Sequence, residues 1–381
     1  MLGETGIDLI QPANTIEGRT YADAEGVMEL GIFLPIAKNG FIASKTSPQF
    51  MPTWELNRRV TQKCEALGFE FALSMIKFRG FGGDSEYWDY ALDSYSLMAG
   101  LAPVTERIAL IPSVATLTLH PAVAARMGVT LDAMSHGRFG LNIVSGWYRD
   151  EYRQMGLWPG DDHFDNRYDY ATEYVTILRE LWTTGRSSFK GKFFSLDDCS
   201  CQPGPTREPQ IVCAGQSGRG LRFTAEMGDR NFVIGDVDVL KKIGVELETA
   251  ARAGGRKVGI IGLFNVIAAA TDEEANRRFD HFVDGADEDA IRCAMGQISL
   301  DSSEGMARSF KMKAMFMGLP TMVGSFNSVA AHLDRIAYET PAAAVMLAFP
   351  DFDEDLDNFG RHILPRLECR RAQNRVAAVN C

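Results

Sequence analysis

The chain has 381 residues, 46% hydrophobic and 23% charged, with a formal net charge of −11, which is the composition of one large globular core. That acidic balance argues against a nucleic-acid partner, because phosphates must be neutralised by Lys and Arg. No apolar run reaches membrane-spanning length and the opening MLGETGIDLIQPANTIEG lacks a secretory n- and h-region, so the expectation is a cytoplasmic protein without a membrane partner.

Residues 1–28 carry little apolar periodicity and read as a flexible extension without chemistry. From residue 29 to 381 a single domain is expected. Short apolar runs alternate with helical patterns: LGIFLPI (30–36), FEFALSM (69–75), RIALIPSVA (107–115) and RFGLNIV (138–144) come first. QIVCAG (210–215), NFVIG (231–235), VGIIGLFNVIA (258–268) and AAVMLAF (343–349) complete eight strands. Strands alternating with helices imply parallel crossovers, and eight of them predict an α/β fold closed as a (β/α)8 TIM barrel with insertions.

Helix signals agree with that frame. Thr53 to Ala66 has Pro52 before it and Gly68 after it, while Pro121 to Met134 starts at a proline and ends near Gly137. SSFKGKFFSL predicts a small hairpin insert at 187–196, and a long charged insert is predicted between the last two strands at 269–342. In a barrel such inserts commonly cover the active face. The seven cysteines are scattered, with no CxxC pair and no His at zinc-finger spacing, so neither a metal site nor a disulfide framework is predicted.

Barrel chemistry belongs at the C-terminal strand ends. Those ends read Met75-Ile76-Lys77, Ser113-Val114-Ala115-Thr116, Asn142-Ile143-Val144-Ser145-Gly146-Trp147 and Gly215-Gln216-Ser217-Gly218. They offer apolar, aromatic, amide and hydroxyl groups but no facing carboxylate pair and no His cluster, which disfavours glycosidase and metal-hydrolase chemistry. A planar heteroaromatic cofactor fits better: Met and Trp pack its faces and amides address its polar edge. AGQSGRG (214–220) places Ser217 and several N–H groups at a helix start, an anion-binding arrangement without the Rossmann GxGxxG pattern. FDNRYDYATEY (164–174) adds Arg167 and Tyr168 at another helix start, and a guanidinium fork with a phenol suits phosphate. Asn142 reads as a donor to a reacting carbonyl or as a strand-end amide satisfying loop backbone. Glu151 and Lys77 also fit a solvated surface, Trp147 and Trp158 fit core packing, and His120 fits a helix entry.

PQFMPTWELN, FALSMIKFRGFGG, ATLTLHPAVAARM, GRFGLNIVSGW, MGLWPGDD, RYDY, CAGQS and DNFGRHILPRLECR occur in one order between about Gly31 and about Arg371. In this the chain resembles the bacterial-luciferase-like flavin monooxygenases, and among them the pyrimidine oxygenases of the Rut type of uracil degradation. The resemblance implies a barrel binding reduced FMN, O2 as co-substrate, and NAD(P)H used only through a partner flavin reductase. It implies opening of a pyrimidine or related N-heterocyclic ring at a C–N amide bond, in a homo-oligomer. Carried onto this sequence, the flavin contacts are Ile76, Lys77, Asn142, Glu151, Arg167, Tyr168 and Ser217. Met75, Ser113, Asn142 and Trp147 line the oxygen and substrate pocket, with Asn142 and Ser113 as the catalytic pair. The resemblance also implies an irregular third strand with a non-prolyl cis peptide near Ser113-Val114.

The departures are Ser113 where that pattern carries Thr, a shorter GDVDVL segment after strand six, and dissimilar residues 300–320. A deazaflavin oxidoreductase, a relative acting on C–S bonds, amines or pyridine-type rings, and a non-catalytic flavin-binding protein are the alternatives the same fold allows.

Overall fold

The computed structural model describes residues 27–298 and 315–370. The expected extension 1–28 therefore lies outside the described residues except for its last two positions. The strands are β1 (Glu29–Phe33), β2 (Phe71–Leu73), β3 (Ala109–Ile111), β4 (Ser113–Ala115), β5 (Gly140–Val144), β6 (Arg186–Ser187) and β7 (Cys199–Ser200). They continue with β8 (Gln210–Ala214), β9 (Arg230–Val233), β10 (Gly259–Ala269), β11 (Thr321–Ser325) and β12 (Ala342–Ala348). The parallel order β3-β2-β1-β12-β10-β9-β8-β5-β4 closes on itself, because β3 and β4 are the two halves of one stave. Eight staves result, as in a (β/α)8 barrel.

The helices that matter to the site are α1 (Trp54–Ala66), α2 (Ser94–Leu101), α3 (Pro121–Ser135), α4 (Arg149–Arg153), α5 (His163–Thr184), α6 (Gly218–Met227) and α7 (Val237–Ala253). After β10 come α8 (Asp272–Asp284) and α9 (Glu288–Ile298), and α10 (Phe326–Glu339) follows β11. The segment 269–342 thus holds a strand that the sequence reading did not anticipate. TMVGS is short and follows Pro320, so it carries too few residues to display a period. It pairs with the upper half of β10, from Asn265 to Ala269, beyond the Gly259–Gly262 stretch that pairs with β9.

Side-chain alternation divides each stave between lumen and helices. On β5, Phe139 just before the strand packs edge-on against Trp182 of α5, so Asn142 faces inward. Its register partner Ser113 shares that face. At the N-terminal end Arg230 makes a bidentate pair with Glu29 at 2.6 and 2.8 Å, both on first strand residues. That pair occupies the bottom of the barrel and leaves ligand space to the C-terminal end.

The third stave is irregular where the resemblance placed an irregularity, but not in the way it implied. Pro112 has no N–H to give to the ladder and splits the stave into β3 and β4. The peptides around Ser113-Val114 are trans; among the described residues the cis bond is Gln202-Pro203. A non-prolyl cis bond costs about 3 to 4 kcal/mol, and here the stave stays trans and admits a side chain at its β2 edge instead. Ser94, the first residue of α2, inserts its hydroxyl into the wall and accepts the Ser113 N–H at 2.8 Å.

Candidate active site

The hydroxyl of Ser113 donates to the Ser74 carbonyl at 2.6 Å. A carbonyl only accepts, so the single hydroxyl proton of Ser113 is committed there. Ser113 can then only accept from its neighbour Asn142, whose Nδ2 lies 2.7 Å away. The amide orientation follows: one N–H goes to Ser113, and Asn142 Oδ1 is buried without a hydrogen-bond partner. The expected donor therefore has one proton already engaged, and its orphaned atom is an acceptor. Ser74 and Ser94, 2.5 Å apart through their hydroxyls, complete this buried cluster, and the sequence reading missed both.

A second cluster surrounds Lys77, which is 7% exposed. Its ammonium sits 3.3 Å from Glu151 Oε1, and Glu151 also accepts the Phe78 N–H at 2.6 Å. Four rings enclose the charge: Tyr148 at 4.2 Å, Phe81 at 5.0 Å, Trp147 at 5.2 Å and Trp88 at 5.4 Å from Nζ to centroid. Ring quadrupoles and the carboxylate favour the ammonium, while burial, the larger effect, holds its pKa below the ordinary lysine value. Lys77 and Glu151 are thus partners of each other rather than solvated surface groups. Met75 and Ile76, half-buried, join the two clusters along the chain after β2.

The third cluster is an anion cradle. Ser217 caps α6, its Oγ accepting the Gly220 N–H at 3.2 Å, and a Cβ on Gly218 would meet open space. The Tyr168 hydroxyl lies over this turn, only 2.9 and 2.7 Å from where Cβ atoms on Gly215 and Gly220 would stand. Glycine at both positions is what lets the phenol approach the backbone. Arg167 precedes it on α5, with its guanidinium 5.1 Å from the Tyr168 ring. Beside Arg167, burial keeps the His163 imidazole below its usual pKa, and its Nε2 lies 2.9 Å from Ser145 O. That contact ties α5 to the loop carrying Trp147.

The donor set matches a flat heteroaromatic with one phosphate. Helix N–H groups, a hydroxyl, a phenol and an arginine suit a monophosphate. The orphaned Asn142 acceptor and the apolar rim of Met75, Ile76 and Trp147 suit ring edges and faces. Trp158 instead packs against His163 and Phe164, and His120 caps α3, accepting the Ala122 N–H at 3.2 Å.

The helices after β10 roof this end of the barrel. Asp287 accepts both the N–H and the hydroxyl of Ser85, the Ala43 carbonyl accepts its own N–H, and Gln297 donates to Asp150 at 2.8 Å. No helix of the described residues is long and apolar enough to cross a membrane.

Residues 28–343 match the family model described as luciferase-like monooxygenase. The chain is 46% identical over 352 residues to pyrimidine monooxygenase RutA of Enterobacter sp. (strain 638), covering 90% of this chain and 97% of that one. In fold it is similar to the long-chain alkane monooxygenase LadA, with TM-score 0.78, 20% identity and coverage of 91% and 92%. Riboflavin lyase RcaE, solved with modified FMN and riboflavin, gives TM-score 0.77, 20% identity and the same coverage.

Proposed function

The chain belongs to the luciferase-like monooxygenase family, and on that premise we propose that it is an FMN-dependent, two-component monooxygenase that opens a pyrimidine ring at a C–N amide bond. The observation that carries the substrate class is the likeness, along 90% of the chain, to pyrimidine monooxygenases. Reduced FMN comes from a separate flavin reductase that uses NAD(P)H, and the protein works in the cytoplasm as a homo-oligomer. When bound, reduced FMN supplies the electrons that activate O2.

The residues of this chain do the rest. Ser217, the first N–H groups of α6, Arg167 and Tyr168 hold the phosphate, with charge-assisted bonds from the guanidinium. Met75, Ile76 and Trp147 pack on planar rings and exclude water. The Lys77–Glu151 pair fastens the chain after β2 to α4, which fixes that wall. Asn142 presents Oδ1 to a ring N–H of the substrate, and its remaining N–H favours the negative charge that grows on an attacked carbonyl oxygen. Such a donor in a dry site is worth about 3 kcal/mol. Ser113 shapes the oxygen pocket and holds the Asn142 amide.

The test is oxygen uptake with FMN, NAD(P)H and a flavin reductase over uracil, thymine, barbiturate and pyridine-type rings, with products identified by mass. Consumption of O2 in proportion to uracil or thymine, with one labelled oxygen in a ring-opened product, is expected. Turnover with NAD(P)H in the absence of flavin, or uptake indifferent to every ring, overturns the reading.

A further inference from the structure

Asn265 lies on β10, the seventh stave, and belongs to none of the clusters above. Two neighbours fix its direction. A Cβ on Gly262 would meet Leu240 of α7 at 3.1 Å, and the Phe264 ring packs 6.2 Å from His332 on α10. Both therefore face the helices, and alternation turns Asn265 into the lumen.

Its height follows from register. Asn265 pairs with Ala348, the last residue of β12, while Ile32 pairs with Leu347, so Phe33 at the end of β1 stands level with it. The Phe33 ring stacks on Phe41 at 4.3 Å and meets Phe232 of β9 edge-on at 5.9 Å. Since β12 and β10 separate β1 from β9 in the wall, these rings meet inside the lumen, beside the stave that carries Asn265.

Asn265 is 0% exposed, and neither Oδ1 nor Nδ2 has a hydrogen-bond partner. Among the described residues it is the one side-chain amide orphaned at both atoms. Its main-chain N–H is satisfied by Pro320 O at 2.9 Å, so the strand does not require the side chain. An apolar residue of the same shape would avoid the desolvation cost of two unmade bonds. An amide retained at that cost in an aromatic lumen is explained by a ligand that completes it.

We propose that Asn265 is a recognition residue that reads a ring edge of adjacent carbonyl and N–H, giving Nδ2 to the one and Oδ1 to the other. The class of ligand rests on the functional reading above. Two rings in that reading carry the edge: the pyrimidine substrate and the pyrimidine half of the flavin. An aliphatic substrate does not.

The experiment compares the full chain with Asn265→Leu, nearly the same shape without polar atoms. Four quantities are read: Tm without flavin, FMN affinity by fluorescence titration, and KM and kcat for uracil in the reductase-coupled assay. Tm should rise by about 2 °C or more, since the fold loses two unpaired buried atoms. If the substrate is what Asn265 reads, KM for uracil rises about tenfold or more while FMN affinity stays within about twofold. If it reads the flavin, FMN affinity itself falls by about tenfold or more.

Both constants within about twofold of the wild type would make Asn265 a packing residue or the holder of an internal water, and would overturn the proposal. Should Leu prevent folding, Asn265→Ala, which only removes atoms, is judged on the same two constants. A wild-type protein that opens no pyrimidine sinks the functional reading instead. The FMN titration then decides Asn265 alone, and unchanged affinity overturns its assignment.

Discussion

Lys77→Met asks what the aromatic enclosure contributes. The Lys77 and Glu151 side chains are 3% and 4% exposed, so removing the ammonium leaves a buried carboxylate whose remaining donor is the Phe78 N–H. The cheapest response is to take up a proton. Starting from a free glutamate near about 4.3, neutrality at pH 7 costs about 3.7 kcal/mol. Loss of the ring contacts adds about 0.5 to 2 kcal/mol, and the Phe78 bond offsets part of the total. A net loss of about 3 to 4 kcal/mol at pH 7 is expected, in line with other broken buried pairs.

The sign with pH follows from the same cause. In the variant the folded state holds its carboxyl proton more tightly than the unfolded chain does, so lowering the pH favours folding. The deficit should shrink by about 1.4 kcal/mol per pH unit, leaving roughly half by pH 5.5. Urea unfolding of the wild type, Lys77→Met, Glu151→Gln and the double variant at pH 7.0 and 5.5 measures this, with the double variant recovering most of the loss. A single variant within about 0.5 kcal/mol of the wild type at pH 7, or a deficit indifferent to pH, would refute the reasoning.

Arg167→Ala should weaken FMN binding by about 1.5 to 3 kcal/mol with the fold intact; a folded variant with unchanged affinity in direct titration returns Arg167 to a structural role. Asn142→Ala should slow ring opening by roughly 10²-fold while FMN affinity falls much less, read from kcat and from titration separately. Ser113→Thr keeps the hydroxyl that anchors Asn142, so uracil turnover should hold or rise, whereas activity on a bulkier ring falls by about 1 to 3 kcal/mol in kcat/KM. Loss of uracil turnover in Ser113→Thr together with its retention in Asn142→Ala contradicts the strand-end assignment.

The barrel was legible because each long apolar run, such as VGIIGLFNVIA, is followed by segments with helix signals, and those signals are local. Ser217 was legible for the same reason: a serine before GRG announces a capped helix. The enclosure of Lys77 was not, since Phe81, Trp88 and Tyr148 come from loops without a period. Trp88 even takes a left-handed backbone, φ +63°, that no pattern of residue types declares. Ser74 and Ser94 are single serines twenty residues apart, and only closure of the wall brings them together. Two features left a trace in the sequence. Pro112 inside RIALIPSVA signals a broken strand, and Asn265 is an amide inside an otherwise apolar run, where a polar residue on the inward phase asks for a partner.

The break in the third stave and the site's polarity are linked. Pairing of β2 with this stave stops at Leu73–Ile111, so the wall has a gap between β2 and β4, and the Ser94 hydroxyl enters it to take the Ser113 N–H. Ser113 is thereby placed with its hydroxyl on Ser74 O, and that bond uses the only proton Ser113 has. From there the Asn142 amide has one favourable orientation, with its oxygen left over. An acceptor near the barrel mouth is therefore the end of a chain of hydrogen-bond obligations that starts where the β2 ladder stops. A barrel with an unbroken third stave would leave Ser113 free to accept or donate, and the Asn142 amide free to turn.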